Sequence, residues 1–262
     1  MKFTVPIPKL SSCKTTETPD GTNMYWTGPS LSKGKLPALF YFALSGEESL
    51  CLDPFNQPVA FLSKEEIRIF SLTLPAHGEG FDKMHALTYW NRELDENHNI
   101  ISNFLQKVIA SIDYLIGEKY IDPKYLAVGG LSRGGFIATH VAAIHSSVRT
   151  LLAFSPMTHL DSKSSLACSL NLPHLVDHLA RPTLSTRFYI GNFDTRVGTD
   201  KCFSFIHKLS EKAMQKKIRP PPIEMIISPS IGNKGHGTST EVFYDGACWV
   251  KNQLSTRTAK KE

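Results

Sequence analysis

Long apolar runs are missing from this chain. The longest stretch without Asp, Glu, Lys or Arg is fifteen residues, Gly134 to Val148, and it holds His140 and His145. A membrane-crossing helix needs about 20 mostly apolar residues, so no span is expected. The opening MKFTVPIPKLSSC has only a short apolar stretch, broken by Pro6 and Pro8 and closed by Lys9. That is too short for a secretory signal core, and Leu10–Cys13 resembles a lipoprotein cleavage box without the core that should precede it. Cysteine is also scarce. The five (Cys13, Cys51, Cys168, Cys202, Cys248) are odd in number, widely spaced and contain no C-x-x-C. They are expected to be reduced, mostly buried thiols in a cytoplasmic protein, not a disulfide frame or a zinc site.

Glycine (17) and proline (16) are ordinary in number, which excludes collagen-like and low-complexity classes. Acidic residues are slightly outnumbered, 24 against 29 Lys and Arg, for a net charge of +5. Part of that excess sits in Lys216, Lys217 and Arg219 before a Pro run, and in Lys251, Arg257, Lys260 and Lys261 near the C-terminus. Such clusters suit a solvated helix end and a frayed tail (255–262), so no nucleic-acid partner is expected. A chain of 262 residues fits one large α/β domain and needs no metal or disulfide staple.

Leu36–Leu44 (LPALFYFAL) is a continuous apolar run of strand length, as in a strand buried on both faces. Ile67–Leu74 is a second candidate with Arg68 its only charge, and the loop Pro75–Gly80 ends it. Further strands are expected at Tyr125–Val128, Leu151–Phe154, Phe188–Ile190 and Ile223–Ile227, with short extended pieces at Phe3–Ile7 and Asn23–Trp26 in a turn-rich N-terminal part (1–35). Helical spacing joins Ile101, Leu105, Val108, Ile112 and Leu115. It also joins Phe203, Ile206, Leu209 and Ala213, and Phe243, Ala247, Val250 and Leu254. A small-residue helix is expected from Phe136 to about His145. Strands alternating with helices predict a mostly parallel central sheet with helices on both faces, in one domain. Segment 155–184, with Leu172, Leu175, Val176 and Leu179, is expected to form one short helix over the sheet's end as a small lid.

Gly130-Leu131-Ser132-Arg133-Gly134 matches G-x-S-x-G. This spacing suits a sharp strand-to-helix turn that strains and exposes the serine, with flanking glycines avoiding clashes. Here it follows a predicted strand and opens a predicted helix, where amide groups and the helix dipole favour developing negative charge. A serine nucleophile needs a base and an orienting acid. Asp194, in Gly191–Gly198, follows one predicted strand; His236, in Gly235-His236-Gly237, follows the last. In a parallel sheet both loops converge on the end where Ser132 lies. The plainer alternatives are a turn-forming aspartate and a solvated loop histidine.

The GGLSRGG elbow, the NFDTRVG turn, the GHGTS loop and LPAHGEG together resemble the α/β-hydrolase superfamily, in its dienelactone hydrolase and prolyl oligopeptidase-like branches. The resemblance covers the chain from Leu36 to Leu254. It implies Ser132 as nucleophile, His236 as general base then acid, and Asp194 as the residue that orients the histidine. It also implies an oxyanion hole of backbone amides, from Arg133 and from Ser45 or Leu44. Members often carry His-Gly at that second loop, where this chain reads Ala43-Leu44-Ser45-Gly46. Asp161 is a competing acid. His77 and His85 lack the H-E-x-x-H spacing of a zinc site, and GGLSRGG lacks the G-K-[ST] ending of a phosphate loop. No metal or cofactor is therefore expected. Arg133 and His159 are candidate substrate contacts, Arg133 through the fit of a guanidinium to a carboxylate. The expected activity is hydrolysis of a small-molecule carboxylic ester through an acyl-serine. The alternatives are a peptidase or thioesterase with the same triad, or a non-catalytic binding scaffold.

Overall fold

A computed structural model describes residues 5–255. Eight strands form one sheet: β1 (Lys14–Glu17), β2 (Asn23–Thr27), β3 (Leu36–Phe42), β4 (Arg68–Ser71), β5 (Ile121–Leu131), β6 (Val148–Phe154), β7 (Ser185–Gly191) and β8 (Ile223–Ser228). Their order is β1-β2-β4-β3-β5-β6-β7-β8. β1 pairs antiparallel with β2 and β2 antiparallel with β4, and every pairing from β4 to β8 is parallel. The mostly parallel sheet expected from the strand–helix alternation is therefore present. Of the expected piece Phe3–Ile7, Phe3 and Thr4 lie outside the described residues, and Val5–Ile7 forms no strand.

β3 shows why its run has no polar alternation. Ala38, Phe40 and Phe42 enter the core on one face of the sheet, while Leu39 and Tyr41 enter the core on the other. The two faces are covered by different helices. On the first lie α3 (Ala86–Asp95), α4 (Ile100–Gly117), α5 (Arg133–Ile144) and α8 (Thr199–Gln215). On the second lie α1 (Gly46–Cys51), α2 (Gln57–Leu62) and α9 (Thr240–Ser255). Each large side chain buried in these layers contributes about 1.5–3 kcal/mol.

The apolar faces of α4 and α9 are buried as the spacing predicts. In α8 the buried set is Cys202, Phe205, Ile206, Leu209 and Ala213, whereas Phe203 is exposed beside the His207 ring. One residue of phase, about 100° around a helix, separates Cys202 from Phe203, and the smaller side chain takes the core position. Trp26 packs on Phe70 at the sheet edge, with ring centroids 6.3 Å apart.

Arg68, the lone charge of its strand, is fully buried. Its guanidinium donates to the carbonyls of Pro29, Ser30, Gly34 and Tyr120, so four of its five donors are used without a carboxylate. The five cysteines are free, but only Cys202 is buried; Cys168 is exposed and the other three are half-buried. Full burial is thus reached by Cys202 alone, while Cys13 and Cys51 pack half-buried against the second core layer.

Segment 155–184 is not one helix. It contains α6 (Ser165–Ser169), a 3-10 turn at Leu172–Leu175 and α7 (Val176–Leu179). Leu172 and Leu179 are buried in the first core layer. No helix among the described residues is long and apolar enough to cross a membrane.

Candidate active site

Ser132 occupies the single residue between β5 and α5, with φ 55° and ψ −113°. A non-glycine residue there carries strain of about 1–3 kcal/mol, which the surroundings must hold. Its amide donates to Phe154 O at 2.8 Å, and its carbonyl accepts from Met157 N at 3.2 Å and Phe136 N at 3.1 Å. The flanking glycines have a steric cause. A Cβ on Gly134 would overlap the Phe42 carbonyl, and one on Gly130 would lie 2.6 Å from the same oxygen. The motif is therefore the form a helix needs to start directly against β3.

Ser132 Oγ lies 2.9 Å from His236 Nε2, and His236 Nδ1 lies 2.7 Å from Asp194 Oδ2. Asp194 is buried, and its other oxygen accepts the amides of Arg196 at 2.9 Å and Val197 at 3.1 Å. Burial alone would raise its pKa. The His236 hydrogen bond and these amides outweigh burial and hold the carboxyl below its ordinary value. An ionised Asp194 fixes the proton on Nδ1 and leaves Nε2 with its lone pair toward Ser132.

The two loops are tied to each other. Thr199 Oγ1 accepts the Asp194 amide at 2.9 Å and donates to Gly191 O at 2.6 Å. Phe193 N donates to Ser230 Oγ at 2.6 Å, Ser230 N to Asn192 Oδ1 at 2.9 Å, and Thr195 N to Lys234 O at 2.9 Å. The Asp194 and His236 loops thus form one hydrogen-bonded unit at the carboxyl ends of β7 and β8.

Arg133 is the first residue of α5, where an amide has no intrahelical acceptor. The second expected donor fares differently. Leu44 N and Ala43 N both donate to Ser49 Oγ at 3.0 Å, and Ser45 N turns to Glu48 Oε2 at 3.4 Å. Ser45 is the N-cap of α1 in a capping box with Glu48, so of the two amides that the resemblance assigned to an oxyanion hole, Ser45's is turned to the cap and Leu44's to the Ser49 hydroxyl.

A cavity of about 210 Å³ opens at Ser132 and His236, bordered also by Leu44, Phe55, Arg133 and Arg196. Larger clefts lie elsewhere, including one of about 670 Å³ lined by Arg181, Lys216, Lys217 and Arg219, but none borders the serine. His159 is not at the cavity; its Nδ1 lies 2.8 Å from Thr158 Oγ1. No residue of segment 155–184 borders it either. Asp161 is exposed and is not the carboxylate at His236. His77 and His85 are not brought together: His77 Nδ1 meets Pro75 O and His85 Nδ1 meets Asp82. Phe55 and Arg196 were not singled out from sequence. Arg196 had a signal, since it stands two residues after Asp194 in the same Gly-flanked turn, whereas Phe55 had none.

No protein-family profile matches the sequence, and no curated protein matches it. Solved structures do. Prolyl oligopeptidase B from Galerina marginata superposes with a TM-score of 0.64 at 20% identity, covering 94% of this chain and 37% of that one. The 2,6-dihydroxy-pseudo-oxynicotine hydrolase gives 0.66 at 15% identity, covering 94% and 69%. A Klebsiella pneumoniae protein assigned as a dienelactone hydrolase gives 0.67 at 14% identity, covering 93% and 97%. This chain spans little more than a third of the prolyl oligopeptidase but nearly the full length of the Klebsiella protein. The chain has the α/β-hydrolase fold.

Proposed function

We propose that this α/β-hydrolase-fold protein is a serine hydrolase that cleaves a carboxylic ester of a small molecule. The observation that carries the reading is the continuous Ser132–His236–Asp194 hydrogen-bonded chain at a strained strand–helix turn. His236 Nε2 takes the hydroxyl proton as Ser132 Oγ bonds to the ester carbonyl carbon. The same proton then passes to the departing alkoxide, leaving an acyl-serine and a free alcohol. Water repeats the sequence: His236 removes its proton, the hydroxide oxygen bonds to the acyl carbon, and Ser132 leaves with the proton returned to it. Asp194 keeps the imidazolium in register throughout. The Arg133 amide and the α5 N-terminus stabilise the oxyanion.

The cavity's size favours small esters, since pockets for drug-sized ligands run to about 300–1,000 Å³. Peptidases among the similar folds keep a peptide substrate as the rival outcome. Five free thiols support a reducing, cytoplasmic setting.

The test is hydrolysis of p-nitrophenyl esters from acetate to palmitate, beside labelling with a fluorophosphonate probe. Turnover of the shorter esters and labelling, both lost in Ser132→Ala, is the expected result. Labelling without ester turnover would shift the substrate to an amide or thioester. Neither labelling nor turnover would leave a binding scaffold.

A further inference from the structure

A cavity of about 670 Å³ opens at the amino ends of β7 and β8, and four cations border it: Arg181, Lys216, Lys217 and Arg219. Among the described residues, no carboxylate lines it. Ser132 lies at the carboxyl ends of the strands, so the seven residues of β7 put roughly 20 Å between the two places. The cations come from three segments that only the fold brings together. Arg181 follows α7, Lys216 and Lys217 end α8, and Arg219 begins the approach to β8.

Arg181 is half-buried and held in place: Nη1 donates to His178 O at 3.2 Å and Nη2 to Val148 O at 3.0 Å. Burial first, and then the charge of Arg149, lower its pKa, so a fifth cation stands nearby. Asp177 serves two lysines at once, Lys212 at 3.1 Å and Lys216 at 3.9 Å. Lys217 and Arg219 are exposed, and neither has a carboxylate within ion-pairing distance among the described residues. Cations at the carboxyl end of α8 suit its dipole, which accounts for Lys212 and Lys216. It does not account for Arg181 and Arg219, which belong to no helix. Lys217 takes φ 60°, a backbone shape that favours glycine, so the turn itself gains nothing from the lysine.

We infer that this cleft binds a small molecule carrying two or more phosphate groups, at a site separate from the Ser132 cavity. Four converging cations call for more charge than a single phosphate group supplies, which is close to two at neutral pH. A guanidinium fork holds two phosphate oxygens, and lysine ammonium groups add charge without fixed geometry. The cavity has the size of a small-molecule pocket, and Ile218, Pro220 and Pro222 give it apolar walls. A nucleic-acid backbone would need its cations spread along a face, whereas these converge on one hollow.

The experiment is calorimetric titration with sodium tripolyphosphate at low salt. Wild-type protein is expected to show one saturable site with a micromolar Kd, and Ser132→Ala the same, so the outcome is independent of what Ser132 does. Arg219→Gln should weaken binding at least about tenfold, Lys217→Gln similarly, and Arg219→Lys less than Arg219→Gln, because an ammonium keeps the charge and loses the fork. Lys64→Gln, at an exposed lysine elsewhere, should leave binding unchanged. Thermal melts give a second reading. Tripolyphosphate well above its Kd should raise the melting temperature by roughly 3–8 °C, and the shift should vanish in the Lys217→Gln/Arg219→Gln double variant. Both side chains are exposed, so these variants leave the fold intact. No saturable binding, or binding that the cleft variants leave as it was, or that Lys64→Gln weakens equally, overturns the proposal. A short single-stranded RNA bound more tightly than tripolyphosphate, through the same residues, would also overturn it in favour of a nucleic-acid surface.

Discussion

The Ser49 hydroxyl accepts the Leu44 amide at 3.0 Å, and the same oxygen takes the amide of Ala43 at 3.0 Å. One buried side chain therefore holds the turn from β3 into α1, on the border of the Ser132 cavity. Ser49→Ala would leave two buried amides without an acceptor, at about 1–3 kcal/mol for each group left unsatisfied. Urea unfolding should show a midpoint well below wild type with an unchanged slope. A variant as stable as wild type would mean that water or another oxygen takes over the role.

Removing the proposed nucleophile should abolish the proposed chemistry without disturbing the fold. Ser132→Ala is expected to lose at least about 10³-fold in ester turnover, and His236→Ala a similar amount, because the two act as a unit. Asp194→Asn should lose about 10²–10⁴-fold, since an amide no longer fixes the proton on Nδ1 of His236. Asp161→Asn should be close to wild type. Initial rates on p-nitrophenyl butyrate check all four, and a damaged Asp161 variant would reassign the acid.

Gly134→Ala tests the steric account of the motif. The added methyl would overlap the carbonyl oxygen of Phe42, which sits in the sheet centre and cannot retreat. Loss of more than about 3 kcal/mol is expected, within the range for severe backbone clashes. Thermal melts would show it, and fluorophosphonate labelling should disappear with it. A stable, labelled variant would sink the account.

Two buried histidines should make the protein sensitive to mild acid. Burial pulls His140 and His77 down from 6.5 to about 4, and for His77 the nearby charge of Arg133 adds to it. Above pH 6.5 both are neutral whether folded or unfolded, so they leave stability flat. Between pH 6.5 and about 4 the unfolded chain takes up protons that the folded one refuses, so stability falls as pH falls, by up to about 1.4 kcal/mol per unit for each histidine. Denaturant midpoints measured from pH 7 to 4 should drop accordingly, and the drop should be shallower in His140→Gln.

Much of this molecule was legible in residue order because its signals are local. The apolar run at Leu36, the 3.6-residue spacing in α4 and the glycines around Ser132 each point to one structure. Asp194 and His236 were legible through position, each just past a strand. What was missed depends on contacts distant in sequence or on competing uses of one group. Ser45 and Glu48 form an S-x-x-E helix start, yet the same stretch also reads as an oxyanion loop; the cap takes the Ser45 amide and Ser49 takes the Leu44 amide. Phe203 and Cys202 both fit a helical face, and only packing against β7 and its neighbours selects between them. Segment 155–184 has Pro156, Pro173 and Pro182 spaced through it, which divide any helix into short pieces. Arg196 reads as a turn residue until Arg133 is placed at the same cavity.

The groups proposed to react come from far-separated parts of the polypeptide: Ser132 and His236 are 104 positions apart, and His236 and Asp194 are 42 apart. Closing such intervals is entropically costly, and no local interaction holds the three side chains together beforehand. Neither α4 nor the β3–β5 pair can create a working centre; it exists only once β7 and β8 have been laid against them in register. The proposed hydrolase activity, followed during renaturation, is then a gauge of sheet completion, arriving later than the helical signal and vanishing first when the β8 edge loosens.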